Sequence, residues 1–319
     1  MDHTWKPRRT LRGGRARAVS LLLLIATALS TATLVAAAPA RGDDPLPWSS
    51  LLPGLTSGYD PTSQDICRSG RIQCVDGVIR EMTRRFTPLA SSCSHDAVFA
   101  LLYLIVTEYY RQDVQDPNFF SDNAFVNYED AYFAEHYFDA YDNWYGGNRL
   151  LVPRAWQIAF SAADQHAVTG IGNLLLGVNA HVNRDLPFVL AYIGLVKPDG
   201  TSRKPDHDKV NEVFYQAYGP AFAAAEHRFD PSISNPTFDG MPYDDDAFLQ
   251  TLVAWREEAW RNAERLVSAA TAEDRAQVAA SIEQAAADEA AVIATATAYP
   301  PGQTSTSRDA YCALHWSGS

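Results

Sequence analysis

Apolar residues recur at helical spacing along most of this chain. The first clear set falls at positions i, i+3, i+4, i+7 and i+11 and so shares one face of an amphipathic helix: Val75, Val78, Ile79, Met82 and Phe86. The next segment, 98–106, is apolar on every face, as is typical of a helix in the middle of a domain. Ser94 precedes it as a candidate N-cap. The pattern therefore predicts two consecutive helices at the start of a core.

An aromatic stripe marks a third helix over residues 122–145. Its members are Tyr128, Tyr132, Tyr137, Tyr141 and Trp144. The segment stops at Gly146-Gly147, a typical helix end. Pro153 suits a first helical turn, and we expect it to begin a fourth helix that continues to Ala163.

The most apolar stretch, 171–196, contains the string NAHVNRDLP at 179–187. Pro187 is predicted to open or kink a helix that continues to Ile193. The remaining helices are predicted over 206–218, where Gly219-Pro220 breaks the pattern, from 244–246 to Leu266, and from a capping box at 271–274 to Val292.

We find no alternating strand pattern with hairpin turns and no repeat of fixed period. One continuous series of helices predicts an all-α fold, a single multi-helix, orthogonal bundle-like domain over residues 67–319. Residues 41–66 are rich in Pro, Gly, Ser and Asp and predict a poorly structured lead-in.

The first forty residues have the features of a signal peptide. Six Lys or Arg side chains precede the apolar run 18–35, and Ala38-Pro39-Ala40 is typical of a cleavage site. Arg8-Arg9 forms an imperfect twin-arginine pattern, so export of the folded protein stays open beside ordinary export. An uncleaved signal would anchor the chain in a membrane. The sequence predicts a secreted or extracytoplasmic protein.

Removal of residues 1–40 makes the chain strongly acidic. That segment holds six basic residues and one acidic residue, so 20 basic and 37 acidic residues remain and the formal net charge changes from −12 to −17. Such a surface repels nucleic acid and anionic lipid at long range. We therefore expect no nucleic-acid partner, and membrane association only through an uncleaved signal.

Four cysteines follow the signal, an even number that predicts two disulfides in an exported protein. Three pairings are formally open, and zinc ligation is the rival reading. Cys67 and Cys74 lack the C-x-x-C spacing of zinc sites, and we expect them to close a small loop. Cys93 and Cys312 would then tie the end of the chain to the start of the core.

The candidate chemistry centres on His181 and Asp185, because motifs for several familiar enzyme classes are missing. The chain has no phosphate-binding Gly-rich loop, no G-x-S-x-G and no H-E-x-x-H. On a helix, residues four apart share a face, so His181 and Asp185 can hold one metal ion or polarise one another. We expect zinc, with Asp206, His207, His136 or His95 supplying further ligands and a bound water attacking an ester or phosphoester. The aromatic helix would line the cleft and favour an apolar or aromatic ligand.

A structural interpretation of the same residues stays open. Asp185 can cap a new helix before Pro187 while His181 bonds a backbone carbonyl, and Asn179 and Asn183 would complete a polar break in the helix. Similarly, Asp206 and His207 stand at a helix start, where an acidic side chain favours the helix dipole. His136 shares a helix face with Asp139, which explains a core histidine without any ligand.

Four segments resemble an uncharacterised bacterial family catalogued as a domain of unknown function. They are NAHVNRDLP at 179–187, FAEHYFDAY at 133–141, VPRAW at 152–156 and DHDKVN at 206–211. The resemblance spans about residues 74–230 and implies an all-helical fold, but it carries no activity.

A partial similarity is to the zinc-dependent phospholipase C and single-strand nuclease group, which is also helical and exported. Gly177, His181 and Asp185 match its G-x-x-x-H-x-x-x-D element. The second H-x-x-x-E/D pair and the metal-binding mature amino terminus of that group are missing. The leading hypothesis is therefore a metal-dependent hydrolase, and the alternative is a non-catalytic extracellular protein that binds a ligand between its helices or is purely structural.

Overall fold

A computed structural model describes residues 58–233, 237–238, 241–242 and 245–315. The predicted signal peptide, 1–40, and residues 41–57 of the predicted lead-in lie outside the described residues. The all-α prediction is confirmed. The described helices, numbered in chain order, are α1 (Ile72–Ser91), α2 (Ala97–Asp113), α3 (Asn123–Tyr145), α4 (Arg154–Asp164), α5 (Gly170–Asn179), α6 (Leu186–Ile193), α7 (Lys204–Arg228), α8 (Asp245–Ser268), α9 (Ala272–Ala296) and α10 (Thr306–His315).

Four short elements accompany these helices. A 3-10 turn spans Arg149–Leu151, and a π-helical segment spans Ala180–Asp185. Strands β1 (Thr237–Phe238) and β2 (Met241–Pro242) pair antiparallel as a minimal hairpin before α8. None of the described helices is long and apolar enough to cross a membrane.

The helix boundaries follow local signals that the sequence displays. Asp122 caps α3, because its side chain accepts a hydrogen bond from the backbone N–H of Phe125. Gly146 ends the same helix, as predicted from the glycine pair. Thr271 and Asp274 form the predicted capping box at the start of α9. Asp185, by contrast, makes no side-chain cap, so the capping interpretation of that carboxylate is wrong.

Helix α7 does not end where the sequence predicts. It continues through Gly219-Pro220 to Arg228, with Pro220 inside it. Proline clashes with the Cβ of the residue before it when that residue is helical, and glycine has no Cβ. The turns on both sides of the proline are also buried, at Ala217, Ala221, Phe222 and Ala225. Packing against the core therefore keeps the chain helical across a position at which local sequence predicts a break.

A continuous helical run from Gly170 to Ile193 passes through the core. Its centre is the π-helical segment, in which the N–H of Leu186 bonds the carbonyl of His181 five residues back. Pro187 follows directly and brings no N–H of its own, so the wider turn occurs where the α-helical ladder must lose a bond. Helices α3, α4, α8 and α9 all pack against this segment. The residues predicted as the site consequently lie in the interior.

Both predicted disulfides are present. Cys67 pairs with Cys74, and Cys93 pairs with Cys312. Helix α10, which carries Cys312, has no predicted counterpart in the sequence pattern. Residues 58–66 are also more ordered than the predicted lead-in, because they form turns in which the N–H of Asp60 bonds the carbonyl of Arg68. The small disulfide loop holds these turns against the start of α1.

Candidate functional site

His181 and Asp185 form a hydrogen-bonded dyad inside the protein. Nδ1 of His181 lies 3.1 Å from Oδ2 of Asp185, and the two side chains are 4% and 0% exposed. The π-helical segment sets this pairing, because it carries both residues through the centre of the fold. Insertions of this kind are frequently found at functional sites. The sequence prediction that the two side chains meet is thus confirmed.

The Asp185 carboxylate is held by three donors. Besides His181, Trp156 donates its Nε1–H to Oδ2 at 2.9 Å, and Arg184 donates to Oδ1 at 2.9 Å. Arg184 is itself buried and also donates to Glu283 on α9 at 2.6 Å. Burial raises the pKa of Asp185, but the bond from His181 and the charge of Arg184 outweigh it and bring the pKa to about 2. Asp185 is therefore an anion that fixes the orientation of the imidazole.

His181 is enclosed by aromatic rings. Its ring stacks on Phe133 with centroids 3.5 Å apart and planes 7° apart, and the ring centroid of Tyr103 is 4.6 Å away. Burial lowers the pKa of His181 despite the neighbouring carboxylate, so the imidazole is neutral at neutral pH. Since Nδ1 donates its proton to Asp185, Nε2 is an acceptor. Nε2 is buried and has no hydrogen-bond partner among the described residues.

His181 lines a cavity of about 100 Å³, which we call the His181 cavity. Residues of helices α2, α3, α5, α6, α7 and α8 and of the π-helical segment line it. Its walls are mainly aromatic and aliphatic, and include Phe99, Phe133, Leu186, Phe214 and Leu252. An apolar cavity with a few convergent polar groups is the usual form of a small-molecule site.

Two further polar atoms at the His181 cavity are buried without a partner in the described part of the chain. They are the hydroxyl of Tyr103 and Oδ2 of Asp130. Buried polar groups are normally hydrogen-bonded, and one left unpaired costs about 1–3 kcal/mol. Together with Nε2 of His181, three buried atoms without a partner in the described chain thus belong to residues that line one cavity.

Glu129 and Asp130 add a pair of carboxyl groups to the cavity wall. Burial raises the pKa of each to about 7, and Arg256, which also lines the cavity, acts in the opposite direction on Glu129. Sequence analysis missed Tyr103, Glu129 and Asp130. The available signal was two consecutive acidic residues between Tyr128 and Tyr132 of the aromatic stripe, where a fully exposed helix face is not expected.

The structure does not gather the other predicted ligands around the dyad. Asp206 accepts hydrogen bonds from the backbone N–H and the hydroxyl of Ser121. His207 is bonded through Nε2 to the backbone carbonyl of Arg256 at 3.1 Å, so both residues join α7 to neighbouring segments. His136 lies nearer the dyad, since Asp185 and His181 both influence its pKa, which burial lowers to about 4.

These positions do not fit a metal centre at the dyad. Among the described residues, no third His, Cys, Asp or Glu brings a ligand atom within 4.8 Å of those of both His181 and Asp185. The Arg184 guanidinium also places a fixed positive charge 2.9 Å from the Asp185 carboxylate, where it competes with a cation. Zinc sites require three or four ligands, so His181 and Asp185 by themselves do not fit the predicted zinc.

The described chain does group three ligand-type side chains elsewhere: His95, His166 and Asp309. Nε2 of His95 lies 2.8 Å from Asp309, and Nδ1 of His95 lies 3.1 Å from the Arg308 guanidinium. Arg308 only donates, so Nδ1 accepts and Nε2 carries the proton and cannot ligate. The two imidazoles are stacked, with centroids 4.0 Å apart and planes 24° apart, so their in-plane lone pairs do not converge. This group fastens α10 to the core beside the Cys93–Cys312 bridge.

The remaining residues of the NAHVNRDLP string have structural partners. Asn179 donates to the carbonyl of Ala286 on α9 at 2.9 Å, and Asn183 donates to the side-chain oxygen of Asn179 at 2.9 Å. Gly177 allows α2 to approach, because a Cβ there would lie 2.4 Å from Cγ of Phe99. The glycine of the G-x-x-x-H-x-x-x-D element is thus a packing residue in this protein.

Gly177→Ala is expected to lower the free energy of unfolding by about 1–3 kcal/mol, because the new methyl group overlaps Phe99 in a closely packed core. Gly77→Ala in α1 is the matched control. A Cβ at Gly77 meets only the flexible end of Arg80 at 3.6 Å, and alanine is favoured over glycine in a helix by about 1 kcal/mol. Urea unfolding of both variants measures the difference. Equal effects at the two positions would contradict the close approach of α2 and α5.

Comparison with known proteins identifies the family of this chain but assigns no activity to it. No curated protein and no solved structure matches this chain. A family model described as "Family of unknown function (DUF5995)" matches residues 75–296, which include the dyad, the cavity walls and nine of the ten helices in whole or part. The chain is therefore a member of this family of unknown function, DUF5995, as its resemblance to an uncharacterised family predicted.

Proposed function

We propose that this protein binds a small, mainly apolar molecule in the His181 cavity and hydrogen-bonds the polar end of that molecule through Nε2 of His181. One observation carries the proposal. The imidazole is oriented by a buried carboxylate and stacked against an aromatic ring, and it lines the cavity, yet its second nitrogen has no hydrogen-bond partner among the described residues. A histidine whose only role was structural would be expected to satisfy both nitrogens.

The protonation state of the site specifies the ligand's polar group. Neutral His181 with Nδ1–H bonded to Asp185 presents an acceptor, so the ligand must offer an O–H or N–H. The Tyr103 hydroxyl can then either donate to the ligand or accept from it. Because the rings are already packed in place, little ordering accompanies binding, which favours affinity for a small molecule.

Tyr103→Phe and Tyr110→Phe form a matched pair that tests this proposal. Both tyrosines line the cavity, but within the described part of the chain only the Tyr110 hydroxyl has a partner, Asn127 Oδ1 at 2.7 Å. Tyr110→Phe should cost about 1 kcal/mol of unfolding free energy, whereas Tyr103→Phe should cost nothing or stabilise slightly. Isoamyl alcohol, whose body suits a cavity of this size, is the probe. We expect Tyr103→Phe to weaken its binding, measured by titration calorimetry.

His181→Asn is the companion variant. Asparagine keeps a donor near the position of Nδ1 for Asp185 but removes the acceptor that Nε2 supplies. Loss of isoamyl alcohol binding with helicity retained would support the proposal. Undiminished binding in both His181→Asn and Tyr103→Phe would overturn it, because neither polar group would then contact the ligand.

The dyad also favours a second candidate, hydrolysis without a metal. A carboxylate that holds the Nδ1–H of a histidine and leaves Nε2 free is the arrangement by which enzymes position a general base. In such a reaction Nε2 of His181 would take a proton from water as that water attacks an ester carbonyl, and would give the proton to the leaving alcohol as the acyl–oxygen bond breaks. Turnover of p-nitrophenyl esters that His181→Asn abolishes would support an enzyme, and binding without turnover would support a binding protein.

A further inference from the structure

The His181 cavity is lined by more acidic than basic side chains. Glu129 and Asp130 bring two carboxyl groups, and Arg256 brings one guanidinium. His181 adds no charge, because burial lowers its pKa and keeps it neutral. When both carboxyl groups are ionised, the cavity wall therefore holds one uncompensated negative charge in an environment of low polarity, which is costly unless a cation accompanies it.

Arg256 interacts electrostatically with Glu129 and is hydrogen-bonded to neighbouring groups of the protein. Its guanidinium donates to Asn211 Oδ1 at 2.9 Å and to the backbone carbonyl of His207. Burial raises the pKa of Glu129 and the charges of Arg256 and Arg203 lower it, whereas burial and the charge of Glu129 both raise the pKa of Asp130. The uncompensated charge is thus that of Asp130, whose Oδ2 is buried and without a partner in the described residues.

The surroundings of Asp130 suit a cation with an apolar body. Tyr103, Tyr110 and Phe133 contribute aromatic rings to the same cavity, and ring faces attract cations. Besides burial, the charge of Asp130 raises the pKa of Tyr103, so the two side chains are near enough to act on one bound group. The unpaired atoms of the cavity, Nε2 of His181, Oδ2 of Asp130 and the Tyr103 hydroxyl, can all accept hydrogen bonds.

We propose that the ligand of the His181 cavity is a small monocation, an ammonium group on an apolar body, whose charge is neutralised by Asp130. This inference rests on the proposed function and names its ligand class. The ammonium donates to Oδ2 of Asp130, and a second N–H can reach the Tyr103 hydroxyl or Nε2 of His181. The apolar body occupies the space between the aliphatic and aromatic walls.

Three probes that share a branched body separate charge from shape. Isoamylamine is a cation, isoamyl alcohol is neutral and isovalerate is an anion at neutral pH. We expect the whole protein to bind the amine about tenfold more tightly than the alcohol, which corresponds to about 1.4 kcal/mol, and to bind the anion least. Titration calorimetry at neutral to slightly alkaline pH measures all three.

Asp130→Asn is the test variant, since it keeps the shape of the side chain and removes its charge. It should weaken amine binding about tenfold and change alcohol binding little. Asp139→Asn is the matched control, because it makes the same change on the same helix at an exposed residue outside the cavity wall. It should leave amine binding unchanged.

The outcomes separate this inference from the proposed function. Alcohol binding equal to or tighter than amine binding, with Asp130→Asn without effect on the amine, overturns the cation and leaves the cavity as a site for a neutral ligand. Amine binding that survives Asp130→Asn but is lost in Asp139→Asn places the cation elsewhere and also overturns the inference. If none of the three probes binds, both proposals fall.

Proton release gives an independent readout. Burial raises the pKa of Asp130 to about 7, assisted by the neighbouring charge of Glu129. An ammonium ion favours the ionised carboxyl, so amine binding should strengthen as pH rises from about 6 to about 8 and should release protons to the buffer. Alcohol binding should vary less over that range. Calorimetry in two buffers of different ionisation enthalpy measures the protons released, and their absence for the amine would contradict the role of Asp130.

Discussion

Replacement of Asp185 by alanine is expected to lower the free energy of unfolding by about 3–5 kcal/mol. The substitution leaves three donors without their acceptor in the interior, the Trp156 indole N–H, the His181 imidazole N–H and the Arg184 guanidinium. The unpaired buried donors account for the loss, because Arg184 keeps its ion pair with Glu283 at 2.6 Å. Urea unfolding followed by circular dichroism measures the effect.

Asp139→Ala is the control, because it removes an exposed carboxylate from α3 and should change stability by no more than about 0.5 kcal/mol. A loss below about 1 kcal/mol in Asp185→Ala would show that the buried network does not stabilise the fold. That result would contradict the claim that Asp185 holds the imidazole of His181 in a fixed orientation.

The difference in unfolding free energy between the parent protein and Asp185→Ala is expected to depend on pH. The folded-state pKa of Asp185, about 2, is below the value of about 3.9 expected in the unfolded chain. Its contribution is therefore fully present above about pH 4 and is lost as pH falls toward about 2. The stability difference between the parent protein and Asp185→Ala should be constant near neutral pH and should narrow only in that acidic range.

Removal of the Cys93–Cys312 bridge by a double substitution to alanine is expected to lower the free energy of unfolding by about 5 kcal/mol on the loop-entropy estimate. The bridge joins residues 219 apart and so restricts a large part of the unfolded chain. It also holds α10 next to His95, where Asp309 and Arg308 bond the imidazole. Loss of the bridge removes the covalent support for that hydrogen-bonded group.

The Cys67–Cys74 bridge supplies the internal control. It closes a loop of only seven residues' separation, so its removal should cost about 2–3 kcal/mol on the same estimate. Unfolding of the two double variants under identical conditions tests the difference of about 3 kcal/mol. Equal losses would mean that local contacts at each bridge, rather than restriction of the unfolded chain, determine their contribution.

The elements that could be predicted are those specified by local spacing. The buried face of α1 follows from its periodicity, and the ends of α3 and α9 follow from a glycine pair and a capping box. The continuation of α7 past Pro220 could not be predicted in this way, because it depends on the burial of the helical turns before and after the proline. Helix α10 was missed because only Arg308 and Cys312 of its residues are buried, which leaves a weak apolar pattern.

In the candidate site, too, the contacts between residues close in sequence could be predicted, and the contacts between distant helices could not. His181 and Asp185 lie four residues apart, so the helix itself brings them together and the sequence was sufficient to pair them. Asp206, His207 and His136 are distant in sequence, and the helix packing directs the first two toward Ser121 and Arg256. The identity of their partners depends on how helices cross, which local periodicity does not encode.

By itself, therefore, the sequence determined the helical class, the disulfide pairs and the His181–Asp185 dyad, because each follows from composition or from spacing along the chain. Only the tertiary structure decided that the dyad faces a cavity, that Tyr103 and Asp130 share it, and that a third metal ligand is missing among the described residues. The physical reason is that a cavity is formed by side chains from several helices. Its chemistry arises from their packing and from the charges that burial leaves without partners.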